Sequence, residues 1–127
     1  MMAVPGGSHQ ALLMAYRDNV ATFARAIQRQ ATLAKAVDLD LARPAIAEMR
    51  RSFALIQLHH QAQMAALADQ STQQMGTRLA GLNEHLTALG SELNAGTPDP
   101  KKVAAHATEI LHQCAGVSWP AQSKPYR

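Results

Sequence analysis

Six apolar residues, Met75, Leu79, Leu82, Leu86, Leu89 and Leu93, recur at intervals of three and four with no polar member among them. That spacing is a heptad seam, which lines one face of an α-helix. A helix with such a stripe needs partners that present stripes of their own.

The rest of the chain supplies them. The first helix offers Leu13, Tyr16, Val20, Phe23, Ile27, Gln30, Ala34 and Val37, with Leu33 flanking the thin point at Ala34. The second offers Ile46, Met49, Phe53, Ile56, His60, Gln63 and Leu67, and the fourth Val103, Ala107, Ile110, Cys114 and Val117. Ser8 is placed to cap the first helix, after a lead-in over 1–8 that holds Pro5-Gly6-Gly7. Breaks are expected at Asp38–Arg43, where Asp38 or Asp40 caps and Pro44 sits near a helix start, and at Asp69–Gln74, where Ser71 and Gln74 have capping-box spacing. The strongest punctuation is Ala95–Asp99 with its flanking residues, and Gly116 and Pro120 close the last helix.

Short connections make consecutive helices antiparallel. The expected fold is all-α: an up-down-up-down antiparallel four-helix bundle over 9–118, with an extended tail over 119–127. Pairing across the turns gives four layers: Ala34, Met49, Leu93 and Val103; Ile27, Ile56, Leu86 and Ile110; Phe23, His60, Leu82 and Cys114; Val20, Gln63, Leu79 and Val117.

Composition agrees. Aromatic residues are 4% of the chain, and alanine, leucine and glutamine dominate, which favours helix over sheet. A formal charge of +3, scattered and without an aromatic platform, gives no nucleic-acid signature. One cysteine, Cys114, excludes an internal disulfide. No apolar run is long enough to span a bilayer, and the start lacks the pattern of a signal peptide. The expected location is cytoplasmic, or periplasmic if the chain begins after a removed leader.

Chemistry has one natural place. The third and fourth layers bring His60, Gln63 and Cys114 inward at neighbouring heights, with His59 and His85 on flanks that face each other if their helices are neighbours. Imidazole and thiolate suit zinc or copper, and His60 with Cys114, completed by His59 or His85, makes a tetrahedral set. The competing reading is structural: a polar residue on an apolar seam fixes register and is satisfied by a neighbour such as Gln63. Adjacent histidines on a regular helix diverge by about 100°, so His59 and His60 cannot share one centre. We expect the structural role and hold the metal site as the alternative.

Other chemistries fit less well. Di-iron sites need two inward Glu-x-x-His pairs; only Glu109–His112 has the spacing, and it lies on the outward face. No Cys-x-x-Cys-His motif attaches haem. A Cys114–His60 pair lacks an orienting acid, and buried thiols are inert. A binding or structural protein is expected, with no catalytic residues and no resident cofactor.

His59-His60-Gln61, then Met64-Ala65 and Leu67-Ala68, followed by Leu79-Ala80, resembles a family of small bacterial helical domains of unknown function. Its hallmark is a His-His-Gln helix followed by Met-Ala and a second helix, and some members are linked to copper handling. The resemblance implies that His59, His60 and Met64 are candidate ligands. Leu58 stands where that family has proline.

An interaction role has its own signal. Leu55, Leu58, Ala62 and Ala65 form a second apolar line on the second helix, away from the seam. Within a monomeric bundle this line faces water. A symmetric partner, or the tail with Trp119, is expected to cover it, so a homodimer is the expected assembly.

Overall fold

The computed structural model describes residues 6–66 and 69–117, with side chains from Gln10 onward. These form α1 (Gly6–Ala34), α2 (Leu39–Ala66), α3 (Gln70–Leu93) and α4 (Pro100–Gly116). Each helix packs on its neighbours in sequence, and α4 closes back on α1. The diagonal pairs, α1 with α3 and α2 with α4, make no close backbone approach. That ring of contacts is the expected up-down-up-down four-helix bundle.

The core is built from the stripes. Ile27, Met49, Ile56, Leu82, Leu86 and Ile110 are fully buried, and so is the α4 line Val103, Ala107, Cys114 and Val117. Helix α1 departs from the expected seam. Leu13, Val20 and Ile27 point inward, but the alternate inward positions belong to Ala24 and Ala31. Tyr16 and Phe23 pack half-buried beside them, and Ala34 is exposed. An α-helix advances 3.6 residues per turn, so a seam read at 3.5 drifts by about 20° per heptad, and the next ridge turns inward. Ala24 and Ala31 bring little bulk, which lets α1 lie close to its neighbours.

The first break comes at 35–38, earlier than the expected Asp38–Arg43. Lys35 ends α1 with φ of 54°, the left-handed conformation of a helix C-cap motif. Gln30 braces the turn from within α1: its Nε2 donates to the Ala36 carbonyl, and its Oε1 accepts from the Asp38 N–H. A polar residue that interrupts the α1 seam thus holds the chain reversal. Asp38 caps α2 by accepting from the Leu41 N–H at 3.2 Å. Pro44 lies inside α2, where it forfeits one helical hydrogen bond to Asp40.

The second helix ends at Ala66 and α3 begins at Gln70. The cap is Asp69, whose Oδ1 accepts from the Thr72 N–H at 2.8 Å; hydrogen bonding from Thr72 holds this carboxyl below its usual range. The expected Ser71–Gln74 capping box is therefore displaced, and Ser71 sits within the first turn of α3. Asp caps as well as Ser does, and starting earlier adds two residues to the helix. The third break follows the expectation: Asp99 caps α4, Pro100 opens it, and Glu92 accepts from the Asp99 N–H at 2.9 Å. Ser8 lies inside α1, which already runs from Gly6, and is not its cap. Leu67 and the tail Trp119–Arg127 lie outside the described residues.

Candidate functional site

His60 is buried near the C-terminal end of α2, and its ring reaches α3. Its Nε2 is 2.8 Å from the carbonyl oxygen of Thr72. A carbonyl only accepts, so Nε2 carries the hydrogen, and the neutral ring is the Nε2–H tautomer. Gly76 makes the approach possible: a Cβ there would lie 3.1 Å from His60 Cε1. Arg50 repeats the device farther along the same helix pair. Its Nη2 contacts the Leu86 carbonyl at 3.4 Å, over Gly90.

These contacts identify the flank of α3 that meets α2. The opposite flank meets α4, and His85 stands on it, with Nε2 4.0 Å from Glu109 Oε1. His59 lies two turns beyond Ser52, whose Oγ accepts from Asn19 Nδ2 of α1 at 2.7 Å, so His59 is on the α1 flank of α2. His59 and His85 therefore stand on opposite flanks of the α2–α3 pair and do not face each other. Which flank meets which neighbour depends on the handedness of the bundle, and apolar seams do not specify that.

The remaining members of the expected set are also spread out. Met64 is exposed, four turns from Arg50 on the α3 side of α2. Gln63 is half-buried. Cys114 is buried on α4, and desolvation pushes its thiol up to about 11. The charged groups that act on it are Arg17, which opposes the shift, and Asp18, which adds to it. Among the described residues no three His, Cys, Asp or Glu side chains are grouped to hold a metal ion. Glu109 and His112 lie toward the surface as expected, 3.9 Å apart.

Among the described residues, one end of the bundle is nearly free of charge. Among residues 6–16, 52–77 and 110–117, Asp69 is the sole Asp, Glu, Lys or Arg. Alternating helix directions bring these stretches together at one end. The border is marked by Arg17, whose Nη1 donates to the Val117 carbonyl at the end of α4 (2.9 Å), and by Arg78 against Gly116. A basic group at a helix C-terminus is favourable to the helix dipole. Spacing alone did not reveal the Arg17 contact, because it requires knowing that α1 and α4 are neighbours.

The outward line of α2 lies in this uncharged half. Leu55 is 41% and Leu58 64% exposed, and Ala62 and Ala65 are exposed as well. Leu12, 52% exposed, stands one heptad before Asn19 and so extends the patch onto α1. A groove of about 360 Å³ runs beside it between the helices, lined by Ala15, Tyr16, Asn19, Ser52 and Leu55, with Glu48 and Arg51 at its charged end. No helix among the described residues is long and apolar enough to cross a membrane.

No family model matches the chain, nor does any curated protein or solved structure.

Proposed function

We propose that the chain is a non-catalytic interaction module that pairs with a second copy of itself through the α1–α2 face of its uncharged half. The observation that carries this reading is the exposed line Leu55, Leu58, Ala62 and Ala65, continued by Leu12, on a surface without charge between Arg51 and Asp69. In a two-fold interface each patch meets its own image, so any net charge repels itself. Among the described residues, the charges at the groove on this face are Glu48 and Arg51, which pair with each other and leave no net charge. A helix lying on a membrane would instead set Lys and Arg beside its apolar face, and α2 has neither after Arg51. The groove beside Leu55 supplies a seat for the partner's Leu58, and Ala62 and Ala65 allow close approach of the two α2 helices. The non-catalytic reading rests on Cys114, a buried thiol whose proton is held by desolvation, with Arg17 and Asp18 as the charged groups that act on it.

Sedimentation velocity over a range of concentrations tests the pairing. The expected result is a dimer that Leu58→Glu converts to a monomer with little change in melting temperature, because Leu58 is 64% exposed among the described residues. A monomer at every concentration, or a dimer that survives Leu58→Glu, refutes it.

A further inference from the structure

A second cleft opens at the charged end of the bundle, between the last turn of α1 and the first turn of α4, far from the leucine patch. It measures about 520 Å³. Its walls are largely carbon: the methyl groups of Ala31 and Ala104 and the ring of Pro100. Ala31 is buried at its base. Lys35 and Lys101 line it from opposite helices, and Thr32 adds a hydroxyl. Neither lysine has a carboxylate within 4.0 Å among the ion pairs of the described residues. The one acid at the cleft, Asp99, is committed to capping: its Oδ1 accepts from the Lys101 N–H at 2.9 Å.

We propose that this cleft binds a small amphipathic carboxylate, its hydrocarbon part on Ala31, Pro100 and Ala104 and its carboxylate between the Lys35 and Lys101 ammonium groups. The volume is that of small-molecule sites, which combine apolar walls with a few polar groups that fix orientation. Two flexible point charges match a single carboxylate. A compact phosphate would leave the carbon walls bare, and it is better held by an arginine fork, which this cleft lacks. The site is independent of the pairing face, so either can fail without the other.

Amide chemical shifts of the full chain, titrated with octanoate, provide the test. The expected result is saturable shifts at Ala31, Thr32, Lys35, Lys101 and Ala104, with Leu55 and Leu58 unaffected. Binding should weaken about tenfold or more in a Lys35→Gln, Lys101→Gln double variant, as expected for the loss of charge-assisted contacts. Both side chains are exposed, so the variant keeps the parent spectrum elsewhere. Octanamide, with the same chain and no charge, should bind comparably weakly, and inorganic phosphate should give no saturable shift in the cleft. Ala104→Leu, which fills the cleft, should abolish octanoate binding. Absence of saturable shifts with octanoate overturns the proposal, as does equal affinity in the lysine variant or equal binding of octanamide or phosphate.

Discussion

The His60 ring donates from Nε2 to the Thr72 carbonyl at 2.8 Å, joining the end of α2 to the start of α3. This contact gives His60 a structural role: a polar group on an apolar seam, satisfied by a backbone acceptor that Gly76 leaves uncovered. His60→Ala should therefore destabilise the fold by about 2–4 kcal/mol, combining a cavity with a lost buried hydrogen bond. His60→Phe restores bulk without the donor and should recover part of that loss. Denaturant midpoints of the two variants separate packing from hydrogen bonding.

The glycines of α3 should respond unequally to alanine. Alanine in a helix interior is favoured over glycine by about 1 kcal/mol. At Gly81 the new methyl meets the flexible end of Gln113, with Oε1 at 3.0 Å, and Gln113 can swing away. Gly81→Ala should raise stability by about 0.5–1 kcal/mol. At Gly76 the methyl meets a buried ring held by its own hydrogen bond, so Gly76→Ala should show no such gain. Equal stabilisation of both variants by thermal unfolding would remove the role assigned to the Gly76 notch.

Cys114 makes the protein sensitive to alkali. Burial raises the thiol from an ordinary value of 9.0 to about 11 in the folded chain. Between these values the unfolded thiol has lost its proton and the folded one has kept it. The stabilisation is therefore complete below about pH 9 and is lost as pH rises to about 11, on the order of 2–3 kcal/mol. The pH dependence of stability should be flatter over that window in Cys114→Ala than in the parent. Lysine and tyrosine titrations are common to both and cancel. At pH 8 the native thiol should react with a disulfide reagent only as fast as the bundle opens.

Zinc or copper(I), added to chelator-treated protein, should leave the melting temperature unchanged. Nε2 of His60 is engaged as a donor, and His59 and His85 stand on opposite flanks of the α2–α3 pair. A rise with either metal that His60→Ala abolishes would restore the metal reading.

Much of this was legible in the residues. Four seams and three breaks led to the bundle, because apolar periodicity reports a helix's buried face directly. The α4 line from Val103 to Val117 is buried at each of its expected positions. The failures share a cause. Phe23 gave way to Ala24 because a seam read every 3.5 residues does not track the turn of a straight helix. His85 faces Glu109, not His59, because seams show which face is inward and not whether the next helix lies to its left or right. Asp69 replaced Ser71 as a cap because two adequate caps stood two residues apart and the chain used the earlier one.

The two glycine notches of α3 also act as a phase lock on α2. Gly76 and Gly90 lie fourteen residues apart, about 21 Å along the axis, and receive His60 and Arg50 from α2. Helix α3 has one other glycine, Gly81, and no second pair has that interval. Sliding α2 by one turn in the C-terminal direction of α3 would drive His60 onto Ala80 and Arg50 onto Asn94; the opposite slip would bring them to Thr72 and Leu86. Leucine stripes tolerate such a slip, since one turn brings leucine near leucine again. The gap at Gly76, filled by the buried His60 ring, does not, and with the more flexible Arg50 over Gly90 it favours one alignment of a repetitive core.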